Sequence, residues 1–281
     1  GMVIIATSLT TYALGTRYIA DPDIVSLIVL IITVVLFVIT FSMTRSMEGL
    51  AEANRLKSEF VSIVSHQLRS PLSNLKWAIE LLLSGRLGEI DGKQGEYFKI
   101  LKDNATRMEE LVADLLIVSR LEQSRFPLHK SEFSLSDLTK EIISAFEPMA
   151  RSAHLEIKLE VANLLPKALA DALRIKMVIE NFLDNAIRYT KEKGEIKIKI
   201  EPKRKNLLFS IKDRGVGIPK EDQKHIFQKF FRSKNIMKYQ TSGSGLGLFI
   251  AKSLIEKSGG KVGFQSQENK GSIFWFTIPT K

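Results

Sequence analysis

Apolar and polar positions recur along this chain in two rhythms, and each rhythm predicts its own kind of element. Val61, Val64, Leu68, Leu72, Leu75, Ile79 and Leu82 step by three or four residues, which predicts an amphipathic helix ending near Ser84-Gly85. After a turn over residues 85–92, Tyr97, Leu101, Met108, Leu111, Val112, Leu115, Val118 and Leu121 repeat the spacing in a second helix. Two such helices bury too little by themselves, so a helical hairpin that dimerises into a four-helix bundle is the expected solution. Phe126-Pro127 closes the bundle and opens a linker. From about residue 132 the rhythm changes. Residues 136–150 predict a helix, 155–161 a strand, and Asp171 caps a helix running to Tyr189. Strands follow at 195–201, 207–212, 261–265 and 272–278, with a helix over 246–257. This is an α+β chain with a mostly antiparallel sheet covered by helices on one face.

Upstream, residues 24–41 run without a charge, long enough to cross about 30 Å of hydrocarbon as a transmembrane helix. Arg45 marks its cytoplasmic end. Residues 3–20 are apolar but short; whether they form a preceding span, making a hairpin that turns at 20–23, stays open. Gly1 ahead of Met2 points to a cloning scar or a cut from a longer reading frame. Met43, Met47, Leu50, Asn54, Lys57, Val61, Val64 and Leu68 keep a 4-3 spacing, a seam running from the membrane into the first bundle helix. The expected division is 1–44 membrane segment of one or two helices, 45–126 dimerising helical hairpin, and 127–281 the α+β domain.

The chain has no cysteine, which excludes disulfides and thiolate metal sites, and its four histidines are scattered. Residues 131–281 carry the entire net charge of +10. A basic domain fits a polyanion such as ATP or an anionic lipid surface. No nucleic-acid-binding signature accompanies it, so nucleic acid is not an expected partner.

The candidate chemistry falls in two places. His66 lies about 160° around its helix from the centre of the apolar stripe, so it faces solvent. A lone helical histidine is usually an ordinary surface residue. Here Pro71 follows within the same helix, where it removes a backbone bond and bends the axis. Far downstream, Asn181 and Asn185 stand at i,i+4 and leave one face of their helix, with Arg188 a turn beyond. Paired amide oxygens suit Mg²⁺ that also holds phosphate. Asp213-Arg-Gly215-Val-Gly217 follows a strand, and Gly243-Ser-Gly245-Leu246-Gly247 opens a helix whose N-terminus can meet phosphate. Each motif alone is more often a polar helix face or a common turn. Neither the dinucleotide fingerprint nor a P-loop is present.

Together these residues resemble the sensor histidine kinases. His66-Gln-Leu-Arg-Ser-Pro-Leu72 is similar to their phospho-acceptor box, and the downstream motifs to their Bergerat-type ATP domain, an α/β sandwich. The resemblance implies His66 as phospho-acceptor with Gln67 and Ser70 beside it. Asn181, Asn185, Arg188 and Tyr189 match the Asn box, with Asn185 on Mg²⁺, and Asp213, Gly215 and Gly217 the first glycine box, with Asp213 on adenine. Phe227 and Phe230 match the Phe box, and Gly243, Gly245, Leu246 and Gly247 the second glycine box. Residues 218–242 would be a basic lid over the nucleotide. The implied function is a membrane sensor kinase of the inner or plasma membrane, a homodimer with its working domains cytoplasmic. It would take a phosphoryl group from ATP onto His66 and pass it to the receiver domain of a response regulator. Two features modulate this. Hydrolytic relatives carry Glu where Asn181 stands, so water attack is disfavoured. Many kinases carry an acid where Gln67 stands, which keeps an ATP-binding pseudokinase adaptor as an alternative, beside a simple ATPase.

Overall fold

A computed structural model of the chain describes residues 2–19, 21–86, 88, 90–122, 127–190, 194–233 and 243–281, with the side chains of Val3, Asn54 and Ser58 also outside the description. The chain resolves into two compact units, residues 1–60 and 61–281.

In the first unit, helix α1 (Met2–Tyr18) is followed by the start of a 62-residue helix, α2 (Pro22–Leu83). The Ser8 and Thr33 hydroxyls share a hydrogen bond of 2.7 Å, and Val25 packs on Gly15, where a Cβ would fall 2.7 Å from Val25 Cγ1. Residues 8 and 15 thus meet 33 and 25, an antiparallel hairpin; Ala20, in its expected turn, lies outside the described residues. Thr11, Thr16, Ser26 and Thr33 donate to carbonyls three or four residues back, so these hydroxyls are satisfied within their own helix. Among the described residues, α2 alone is long and apolar enough to cross a membrane; α1 stops at 17 residues.

In the second unit, α2 continues through Pro71 to Leu83 and pairs with α3 (Gly92–Glu122). Glu109 accepts from Ser73 at 2.9 Å and from Lys76 at 3.1 Å, and Lys102 pairs with Glu80 at 3.1 Å. These contacts set an antiparallel register. Ile79, Ala105, Val112 and Leu116 are buried in the hairpin, whereas Leu68, Leu75, Leu101 and Met108 of the same stripes stay 41–49% exposed. Phe126, the expected end of the bundle, lies outside the described residues.

Among the described residues, the remainder is a five-stranded sheet under three helices, with a separate two-stranded pair. Its order is β2 (Glu156–Val161), β4 (Glu195–Lys203), β5 (Asn206–Lys212), β7 (Gly271–Pro279), β6 (Lys261–Gln267), antiparallel except for β2 beside β4. A small pair, β1 (Ser131–Phe133) with β3 (Ala168–Ala170), carries no alternation the sequence could reveal. Helices α4 (Leu135–Ser152), α5 (Ala172–Tyr189) and α6 (Gly247–Lys257) are amphipathic. Ile196, Ile198, Ile200, Phe209, Ile211 and Phe276 point into the core while Lys197 and Lys199 face water, as strand alternation requires. Phe182 of α5 packs its ring 5.5 Å from Phe274 and 6.2 Å from Phe276. Burying such a ring is worth roughly 1.5–3 kcal/mol, and here it fixes α5, and with it the polar face of α5, over the sheet.

Candidate active site

The polar face of α5 begins at its cap. Asp171 accepts from Arg174 N and also from His129 N, tying the helix start to the preceding linker. Three turns on, Asn185 Nδ2 donates to Asn181 Oδ1 at 3.2 Å. That bond occupies the nitrogen of Asn185 and leaves its amide oxygen as the group with no role inside the pair. One turn later the Arg188 guanidinium holds Asp184 at 2.6 Å.

Two glycine loops close on this face. Gly247 begins α6, and a Cβ there would sit 1.9 Å from Asn181 Nδ2, so only glycine lets α6 approach the Asn pair. Gly217 takes φ +63 beneath the turn after β6, where a Cβ would meet the Gln267 carbonyl oxygen at 2.0 Å. The first loop is stitched down on both sides. Val216 N donates to Tyr189 O at 3.1 Å, Asn269 N to Val216 O at 2.7 Å, and Gln223 Nε2 reaches both Ile218 O and Ser266 O. Asp213 is buried, and its Oδ1 accepts from Gly215 N at 2.8 Å and Ser272 N at 3.1 Å. Burial pushes its carboxyl above the usual range, and those backbone donors only partly offset this. Tyr189 is likewise raised by burial, opposed by Arg232 and Arg188 nearby.

These elements enclose a cavity of about 600 Å³. Of the residues singled out in the sequence, Asn181, Asn185, Arg188, Tyr189, Asp213, Gly217, Gly243, Gly245 and Gly247 line it. Gly215 and Leu246 support it from behind: Gly215 packs on Tyr189 O, and Leu246 is buried at the start of α6. The two phenylalanines do not line it. Phe227 packs edge-on to Phe264, and Phe230 is 64% exposed; Ile226 and Phe231 take the cavity wall instead. Strand and helix periods cannot place these rings, because residues 219–231 form successive turns. The lid expected over 218–242 is described only to Ser233; residues 234–242 lie outside the described residues.

His66, Gln67 and Ser70 stand apart on α2. All three are exposed, the buried Ser65 turns the other way, and none lines the cavity. Sequence periodicity missed the wall opposite α5, which is α3: Asp103, Thr106, Arg107, Glu110, Leu111 and Asp114. Ser244 Oγ donates to Asp114 Oδ2 at 2.8 Å across that boundary, and burial raises the Asp114 carboxyl.

The donor set fits a nucleotide. A buried carboxylate stands at one end to accept from an exocyclic amine, amides and a guanidinium stand along α5, and glycine-rich loops let backbone N–H groups approach phosphate. Comparison with known proteins agrees. Residues 56–124 match the model of the His Kinase A (phospho-acceptor) domain. Residues 170–281 match that of the histidine kinase-, DNA gyrase B- and HSP90-like ATPases. The chain belongs to the histidine kinases. It is similar to the circadian input-output histidine kinase CikA of Synechococcus elongatus, 31% identical over 229 residues, which is 81% of this chain and 30% of CikA. Similarity to the histidine-protein kinase BarA of Escherichia coli K12 is 32% over 233 residues, 81% of this chain and 25% of BarA. The chain thus spans a quarter to a third of the length of these curated histidine kinases. Full-length ShkA in complex with AMPPNP superposes with a TM-score of 0.67 at 27% identity, covering 79% of this chain and 46% of ShkA. The histidine kinase ThkA in complex with the response regulator TrrA gives 0.58 at 28%, covering 84% of this chain and 66% of ThkA.

Proposed function

We propose that this chain is an ATP-dependent protein-histidine kinase that phosphorylates His66 and passes the phosphoryl group to an aspartate of a response regulator. The observation that carries the reading is the pairing of a nucleotide-sized cavity, built by Asn181, Asn185, Asp213 and two glycine loops, with an imidazole that faces solvent on a different helix. A site that hydrolysed ATP would need a base beside the phosphate. Asn181 is an amide that accepts from Asn185 and cannot take a proton from water. An external nucleophile therefore fits better than water.

In this reading Asp213 accepts from the adenine amine. The Asn185 amide oxygen and phosphate oxygens would hold Mg²⁺, which supplies charge neutralisation when bound. Arg188, already aligned by Asp184, faces the phosphates. The resemblance implies the basic stretch 218–242 as a lid that keeps water from them. Gln67 orients the His66 ring by hydrogen bonding, and Ser70 flanks it. The exposed leucine stripes of α2 and α3 support a homodimer, and α2 supports a membrane anchor with residues 61–281 cytoplasmic. The ThkA–TrrA complex supports a receiver domain as partner.

Incubating the full chain with γ-labelled ATP separates the alternatives. The kinase reading expects an acid-labile label on the protein that His66→Gln removes, with nucleotide affinity changed less than about threefold, or about 0.7 kcal/mol. Label persisting in His66→Gln would refute the assignment; bound nucleotide without label indicates a pseudokinase adaptor, and free phosphate without label an ATPase.

A further inference from the structure

The Asp213 end of the cavity is built from two chain segments, the loop 213–218 and the β6–β7 hairpin. Gly215 and Gly217 give that loop little stiffness of its own, so its position depends on outside ties. Ile218 N donates to Ser266 Oγ at 2.9 Å, and Asn269 N to Val216 O at 2.7 Å. The Ser266 and Ser272 hydroxyls share a bond of 2.9 Å, and Ser272 N reaches Asp213 Oδ1. A third segment joins both. Gln223 Nε2 donates to the Ile218 carbonyl at 3.1 Å and to the Ser266 carbonyl at 3.0 Å, which spends both of its hydrogens. The segment that carries Gln223 is itself anchored. Ile226 is buried in the core, and the Phe227 ring packs edge-on to Phe264 of β6 at 5.8 Å. Gln223 does not line the cavity, so it acts on a ligand only through the residues it holds.

We propose that Gln223 is a positioning residue for base recognition: its amide clamps the loop 213–218 to the β6–β7 hairpin and so fixes Asp213 for the 6-amine of adenine. This rests on the reading that an adenine nucleotide fills the cavity. Both backbone donors to Asp213 fall on Oδ1, which leaves Oδ2 for the amine. A hydrogen bond there needs its heavy atoms about 2.7–3.2 Å apart, so a loop that drifts by about an ångström loses it. In the same reading the phosphates meet the Asn pair on α5 and the second glycine loop, which Gln223 does not touch. The clamp therefore governs discrimination between bases more than affinity for the triphosphate.

Purine riboside triphosphate differs from ATP only in lacking the 6-amine, so the pair isolates that one bond. Each is competed against a fluorescent ATP analogue on the detergent-solubilised full chain. Wild type should favour ATP by about tenfold or more, the worth of a hydrogen bond to a charged acceptor. Gln223→Met keeps the side-chain length and removes both donors. It should bind ATP about five- to tenfold more weakly yet lose less than about twofold for purine riboside triphosphate, so the preference falls to about threefold or less. A purely structural role would lower both affinities together and leave the preference intact; that result, or no change in either affinity, overturns the proposal. If Gln223→Met does not fold, Ser266→Ala, which unties Ile218 N from the same junction, must show the same loss of preference, and an intact preference there overturns the proposal equally. Wild type that binds neither triphosphate, or both alike, defeats the adenine reading and the clamp with it. A wild-type preference for ATP that survives in the variant defeats the clamp alone. Neither readout uses phosphoryl transfer, so the assignment of His66 stands or falls separately.

Discussion

Asp213 shows how a single residue serves both the fold and the site. Its Oδ1 ties the Gly215 and Ser272 amides together, while burial disfavours its charge. A carboxyl whose folded-state pKa is raised favours the fold below its unfolded value of about 3.9, and that contribution is lost as pH rises through the folded value. Asparagine keeps an acceptor at Oδ1 and carries no charge. In thermal melts, Asp213→Asn should therefore match wild type near pH 4 and gain on it towards pH 7. The same variant turns an acceptor into a donor at the adenine end, so affinity for ATP should fall at least tenfold, or about 1.4 kcal/mol. A variant that lost stability at pH 7 while binding ATP normally would mean that this carboxyl is purely structural.

At the scale of elements, α5 decides the site because it carries the Asn pair, Arg188 and Tyr189 on one face and Phe182 on the other. Its start depends on Asp171, which caps Arg174 N and holds His129 N as well. Removing a cap costs about 0.5–2 kcal/mol, and the second orphaned donor places Asp171→Ala at the upper end of that range. The expected result is a lower midpoint in denaturant unfolding, with Asp171→Asn recovering most of the loss. Equal stability of Asp171→Ala and wild type would show that the linker, not the cap, sets the helix start. The cap was legible in the sequence, as were all three covering helices and the four longer antiparallel strands. β1 and β3 were not, since three residues cannot display an alternation and their pairing partners are about forty residues apart.

At the scale of the molecule, the helical hairpin keeps an apolar surface exposed among the described residues. Leu68 and Leu75 on α2 lie on the stripe of the buried Ile79, and Leu101 and Met108 continue the stripe of α3, yet all four are 41–49% exposed. A second copy covering them would complete the four-helix bundle. Leu75→Lys, which places a charge in that seam, should shift the detergent-solubilised chain from dimer towards monomer in sedimentation. The nucleotide cavity lies elsewhere, so ATP affinity should change less than about threefold. A wild-type chain that is monomeric at micromolar concentration would remove the bundle from the proposal.

What the sequence by itself determined is local. Periods of 3.6 and 2 set which segments are helix or strand, glycines mark where the backbone takes positive φ or must pass close to a neighbour, and a four-residue step puts Asn181 and Asn185 on one face. His66 could be turned to solvent from the stripe alone, and its exposure in the fold agrees. Tertiary structure decided what depends on contacts between distant segments. The parallel pairing of β2 with β4 follows from packing across the sheet rather than from either strand. In the irregular stretch after Ile218 no period exists to aim a side chain, so Phe231 rather than Phe230 could reach the cavity only through its packing. The acidic α3 wall is the clearest case. Asp103, Glu110 and Asp114 read as an ordinary solvated helix face until docking sets them across the cavity from the Asn pair. A charge acquires its meaning from what the fold places opposite it.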